Sequence, residues 1–90
     1  MPQRTVTIVN KRGLHARAAA KFATAANLFS CRIQARTPEG SWVDGKSVMS
    51  LMLLAAAKGS CLEVATDGDD AEQALDTLCE LIAQRFEEDE

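Results

Sequence analysis

Thr5-Val6-Thr7-Ile8-Val9-Asn10-Lys11-Arg12-Gly13-Leu14-His15-Ala16-Arg17-Ala18-Ala19-Ala20-Lys21-Phe22 changes its period midway. Residues 5–9 alternate β-branched polar and apolar side chains, the two-residue repeat of a half-buried strand with Val6 and Ile8 turned inward. From Ala16 to about Phe29 the repeat becomes helical, and Ala19, Phe22, Ala23 and Ala26 fall on one stripe. Small residues on such a stripe let a helix lie close to a sheet. Between strand and helix stands His15, the only histidine, directly after the Gly13-Leu14 turn and at the expected helix N-terminus.

Unpaired backbone N–H groups and the positive end of the helix dipole gather anions at that position. Arg17 adds a planar donor fork suited to phosphate. The same positive surroundings favour the uncharged, nucleophilic form of an imidazole. A nucleophile, an anion cradle and a counter-charge within three residues suggest a histidine that accepts a phosphoryl group and passes it on, by positioning and electrostatics. The plain alternative is a surface histidine or a helix cap.

Working outward, Cys31-Arg32-Ile33-Gln34-Ala35-Arg36 alternates again, with Cys31, Ile33 and Ala35 facing one way. Thr37-Pro38-Glu39-Gly40 reads as a turn and Ser41-Trp42-Val43-Asp44 as the returning strand, with Trp42 in the core or at the rim of a wet face. Gly45-Lys46-Ser47 opens a short helix over residues 48–54. Val48, Leu51 and Ala55 can face inward there, while Met49 and Met52 lie three apart on a neighbouring face. Left near the surface, the two methionines form an adaptable docking patch; taken inward, they fill a small core. Gly59 is the natural left-handed terminator of that helix. Cys61 to Thr66 is a fourth strand with Leu62 and Val64 inward. The last helix runs to about Arg85 on a stripe of Ala71, Ala74, Leu75, Leu78, Leu81 and Ile82, its first turn capped by Asp69 or Asp70. Strand, helix, strand, strand, helix, strand, helix makes an α+β two-layer sandwich with an antiparallel sheet and helices on one face.

Ninety residues form a single domain with one modest core. The net charge is −3, from 13 acidic and 10 basic residues, with acids crowded into the tail Glu87-Glu88-Asp89-Glu90. A chain without a basic face, and with only Phe22, Phe29, Phe86 and Trp42 as aromatics, is a poor partner for nucleic acid. Cys31, Cys61 and Cys79 fit neither a disulfide framework nor a zinc site, and no metal or cofactor is suggested. Without a signal-like N-terminus or a membrane-spanning run, the expected location is the reducing cytoplasm. A self-sufficient enzyme lacks support: there is no second histidine, no base paired with a nucleophilic serine or cysteine, and no carboxylate pair at a recognisable spacing.

Asn10-Lys11, Gly13-Leu14-His15-Ala16-Arg17 and Ala19-Ala20-Lys21-Phe22 closely resemble the active-site signature of the HPr family, the histidine-containing phosphocarriers of the bacterial phosphoenolpyruvate-dependent phosphotransferase system. Gly45-Lys46-Ser47-Val48-Met49 is similar to that family's Gly-Lys-Ser-hydrophobic segment, and Ala57-Lys58-Gly59 to the loop before its last strand. The likeness covers essentially the whole chain. It implies the HPr open-faced sandwich, βαββαβα, with a four-stranded antiparallel sheet and three helices on one face. It also implies that His15 accepts the phosphoryl group through Nδ1 from enzyme I and passes it to an enzyme IIA-type acceptor, with Arg17 facing the phosphate. Ser47 matches the serine phosphorylated by an HPr serine kinase/phosphorylase, and it is also a good helix cap whatever a kinase does. Val48, Met49 and Met52 match partner-docking positions. The resemblance implies no cofactor, no membrane insertion, and a monomer.

Ala18 departs from the proline that many members carry after the arginine. It keeps a backbone N–H able to meet phosphate. With the acidic tail, it resembles the nitrogen-related or regulatory branch at least as much as the sugar-uptake branch. Two other functions compete with the relay. One is a regulatory binding module working through Ser47 and the two methionines, with His15 only a cap; the other is a small-ligand sensor, which the sequence supplies with no Gly-rich loop or polar pocket cluster.

Overall fold

A computed structural model describes residues 2–88, so Asp89 and Glu90 of the acidic tail lie outside the described residues. The chain runs β1 (Gln3–Thr7), α1 (Ala16–Ala26), β2 (Arg32–Arg36), β3 (Val43–Asp44), α2 (Val48–Met52), β4 (Cys61–Asp67), α3 (Ala71–Ala83) and a C-terminal turn, Arg85–Glu87. The sheet order is β1-β4-β2-β3, and every pairing is antiparallel. Val6 lies opposite Leu62, and Ala35 opposite Val64. The three helices cover one face, giving the expected open-faced sandwich.

Alternation along the strands decides which face is covered. Ile33, Ala35, Leu62, Val64 and Thr66 point beneath the helices and are buried. They meet the α1 stripe of Ala18, Ala19, Phe22, Ala23 and Ala26 and the α3 stripe of Ala71, Ala74, Leu75, Leu78 and Ile82. The four buried alanines of α1 let that helix settle on the sheet around a fully buried Phe22. The other face is polar: Arg36 Nε donates to Glu63 Oε1 at 2.7 Å, and its guanidinium lies 4.3 Å from the centroid of the half-buried Trp42 ring. Trp42 is therefore at the rim. All three cysteines are free, and burial pushes the Cys31 and Cys79 thiols up, which keeps them protonated and unreactive.

Several element ends fall elsewhere than the sequence suggests. β1 starts earlier and its formal pairing stops at Thr7, although Ile8 N donates to Ser60 O and Gly59 N to Ile8 O. α1 stops at Ala26 rather than Phe29, because Asn27 turns its amide back onto Ala23 O and across to Lys46 O. β3 has only two residues. α2 ends at Met52, and Ala55 is exposed in the left-handed region (φ 50°) instead of facing inward. Ala56 takes the inward place, with its carbonyl bound by Leu14 N at 2.8 Å. Gly59 (φ 90°) therefore belongs to the turn into β4 and does not terminate α2.

Asp70 occupies the N-cap position of α3 but makes no cap bond. Its carboxylate accepts from the backbone N–H groups of Ser30 and Cys31, both at 2.9 Å. α3 ends at Ala83, and residues 85–87 form a left-handed turn (φ 59°, 53° and 64°) that drives Phe86 fully into the core. No helix among the described residues is long and apolar enough to cross a membrane.

Candidate phosphoryl-transfer site

His15 is the N-cap residue of α1, with extended backbone (φ −81°, ψ −177°), and its ring makes no cap bond. A cap of Ser, Thr, Asp or Asn would satisfy one of the open N–H groups and add about 1 kcal/mol. This helix forgoes that bond and has no acid in its first turn, which leaves its positive end open. The half-exposed ring turns instead to the C-terminal segment, where Nε2 lies 2.6 Å from Glu88 Oε2.

The other oxygen of that carboxylate, Oε1, accepts from Asn10 Nδ2 at 2.8 Å. Asn10 is fully buried, and the same Nδ2 donates to Gly13 O at 2.8 Å. Both partners are acceptors, so the amide orientation is fixed and Oδ1 is left buried without a partner among the described residues. Burial of Glu88 works against its charge, but the hydrogen bonds from Asn10 and His15 and the nearby Arg12 charge outweigh it and hold its carboxyl below the usual glutamate value. An ionised carboxylate only accepts hydrogen bonds, so Nε2 carries a proton. In the uncharged imidazole the lone pair is then on Nδ1.

Gly13 shapes the loop beneath the histidine. It has φ 67°, and a Cβ there would stand 2.5 Å from Ala56 O and 2.8 Å from Ala57 Cα. The loop before α1 and the loop after α2 thus meet backbone to backbone, an approach open only to glycine. Arg17 is exposed in the first turn of α1 and, with Ala20, Lys21, Leu28, Leu81 and Glu87, lines a groove of about 390 Å³.

Ser47 is the N-cap of α2, with Oγ accepting from Ser50 N at 3.2 Å. The Asn27 bond to Lys46 O fastens the start of α2 beside the end of α1, while Leu14 N and Ala56 O fasten the loop after α2 to the loop before α1. The two helices therefore run in opposite senses, and Ser47 lies toward the C-terminal end of α1, away from His15. Of the surface between them, Met49 is 75% and Met52 43% exposed, so the docking-patch alternative describes their placement; Val48 is half-buried against the core. Leu53, 80% exposed, extends this apolar surface and was not anticipated.

Neither was the part played by Glu88 and Asn10. Four carboxylates among the last four residues give no ground for selecting one, and Asn10 sits in the loop motif without a chemistry of its own. Among the described residues no group of three or more metal-ligating side chains comes together.

Comparison with known proteins follows the same lines. The family described as PTS HPr component phosphorylation site matches residues 2–84. The chain is 52% identical over 91 residues to the phosphocarrier protein HPr of Pseudomonas aeruginosa, with 100% of both chains covered. It is 48% identical over 90 residues to that of Pseudomonas putida, again with 100% of both covered. Among solved structures it is similar to HPr-C-His from Thermoanaerobacter tengcongensis, with a TM-score of 0.93, 38% identity and 100% of each chain covered.

Proposed function

Because the chain belongs to the HPr family, the phosphocarriers of the phosphotransferase system, we propose that His15 is the residue that carries the phosphoryl group, on Nδ1. The observation that supports this assignment is the ring at the open N-terminus of α1, with Nε2 engaged by Glu88 and Nδ1 left as the nitrogen available to phosphorus. In this reading enzyme I is the donor and an enzyme IIA-type protein the acceptor. The carrier works in the cytoplasm and turns over no substrate by itself, since each transfer is completed across an interface with another protein.

The chemistry asked of the chain is modest. Nδ1 must reach phosphorus in line, and the phosphoryl oxygens must find positive charge. The open N–H groups at the start of α1, that of Ala18 among them, and the exposed guanidinium of Arg17 supply it. The half-buried Val48 and the exposed Met49 and Met52 form part of the docking surface, where unbranched side chains adapt to more than one partner. Phosphorylation of Ser47 by a serine kinase would place nearly two negative charges on that surface at a helix start, changing its sign while the fold survives.

The test is incubation with phosphoenolpyruvate and a bacterial enzyme I, followed by intact-mass analysis under non-acidic conditions. The expected result is one added phosphate, labile in acid and absent from His15→Ala. An unchanged mass, with an enzyme I active on another carrier, would remove the relay through His15 and leave the binding module centred on Ser47.

A further inference from the structure

Resting on the reading of His15 as phosphoryl acceptor, we propose that Glu88, steadied by Asn10, is a positioning residue for the transfer. It holds the His15 proton on Nε2 and balances the positive charge that the ring takes on when Nδ1 is phosphorylated.

The contact is built from both ends. On the histidine side, Glu88 spends one oxygen on His15 Nε2 and the other on Asn10 Nδ2, at 2.6 and 2.8 Å. Asn10 is fully buried and also grips Gly13 O, two residues before His15, so the carboxylate is tied to the same loop that aims the ring. On the Glu88 side, the chain leaves α3 through three consecutive residues in the left-handed region, Arg85, Phe86 and Glu87, none of them glycine. Side chains disfavour that conformation, and it persists only where the surroundings over-determine it. Here the fully buried Phe86 and the bonds from Glu87 N to Gln84 O and Glu88 N to Arg85 O hold it. Its effect is to reverse the chain off the end of α3 and set residue 88 against residue 15. A C-terminal segment needed only to cover the core would have no reason to carry a carboxylate to an imidazole nitrogen.

The chemistry gives the contact a role. The Nδ1 lone pair attacks phosphorus, a new N–P bond forms, and the donor's bond to phosphorus breaks with its electron pair left on the donor. No proton leaves His15. The ring starts uncharged with hydrogen on Nε2 and becomes a cation with phosphorus on Nδ1 and hydrogen still on Nε2. Glu88 is already in place against that charge, so little reorganisation is needed as it develops. The logic is that of a carboxylate which orients a catalytic imidazole without taking its proton. On delivery, the cationic ring is the better leaving group, and the same carboxylate keeps it protonated.

Glu88→Gln is nearly isosteric and separates this role from packing. Its single carbonyl oxygen can serve Asn10, and its amide N–H then faces Nε2 and favours the opposite tautomer. The expected result is a shift of the His15 ring from Nε2–H toward Nδ1–H in ¹⁵N NMR, and a fall of roughly tenfold in the maximal rate of transfer from enzyme I, the size of one charge-assisted hydrogen bond. KM for enzyme I stays within about twofold, Glu88→Asp restores part of the rate, and Glu39→Gln, which removes an exposed charge in the turn after β2, leaves rate and tautomer as they were. If wild type accepts phosphate, His15→Ala does not, and Glu88→Gln matches wild type in rate and tautomer, the role of Glu88 is overturned while the assignment of His15 stands. A slower rate with an unchanged tautomer and a melting temperature lowered in proportion also overturns it, in favour of a packing role. Wild type left unphosphorylated by an active enzyme I overturns both.

Discussion

Gly13 has the least freedom of any residue near the site. Its φ of 67° is in the region that a Cβ disfavours by about 1–2 kcal/mol, and the new atom would stand within 3 Å of the Ala56 and Ala57 backbone. Overpacking against backbone adds about 1–3 kcal/mol more. Gly13→Ala is therefore expected to lose about 2–5 kcal/mol of unfolding free energy in urea, and to accept phosphate more slowly because the loop that aims His15 has moved; a loss below about 0.5 kcal/mol would contradict the close approach. At this scale the sequence was legible wherever function is local. His15 and Arg17 stand two apart at a change of period, and their placement at the start of α1 follows from that alone. Glu88 is 73 residues from His15. Its arrival depends on a left-handed turn built from residues with no turn chemistry, so nothing in its neighbourhood announces it.

Among the elements, α2 is the one whose length and role diverge. Its pattern reads as a seven-residue helix, yet regular structure covers Val48–Met52, because Leu14 N binds Ala56 O and the chain must bend at Ala55 to present that carbonyl. A periodicity count sees the apolar residues and misses this claim on the backbone from a loop some forty residues earlier. What survives is a helix too short to stand by its own hydrogen bonds, held by the Ser47 cap, by a fully buried Leu51 and by its ties to α1. Ser47→Ala should cost about 1 kcal/mol, the usual value of a lost cap. Ser47→Asp keeps an acceptor for Ser50 N–H and puts negative charge where a helix start favours it, so its melting temperature should stay close to wild type. The charge also enters the Met49 and Met52 surface, and transfer from enzyme I is expected to weaken. Equal transfer rates for Ser47→Asp and wild type would separate this surface from the enzyme I interface.

Across the whole molecule, the fold class follows from pattern, since two-residue and helical repeats alternate in an order that only a few topologies accommodate. The ties between elements do not follow from it, and Asp70 is the clearest case. An aspartate at the head of an acidic helix reads as a cap, whereas its carboxylate leaves α3 and accepts from the two N–H groups, Ser30 and Cys31, that lead into β2, joining a helix to the segment that opens the strand beneath it. The N–H of Ser30 contributes most to holding this carboxyl below the ordinary aspartate value of 3.8, with burial opposing and Cys31 assisting. A carboxylate whose folded pKa is depressed stabilises the fold at pH values above its unfolded pKa, and that contribution disappears as pH falls through the folded value. Asp70→Asn removes the titration and leaves one acceptor oxygen for two donors. The melting temperatures of the two proteins should therefore be well separated at pH 7, remain so to about pH 5, and converge as pH drops below 3.8. Glu88, also depressed, titrates in both proteins and cancels in the comparison. A separation that stayed constant down to the acid transition would mean that Asp70 acts through shape alone, and that β2 is fastened to α3 by packing rather than by charge.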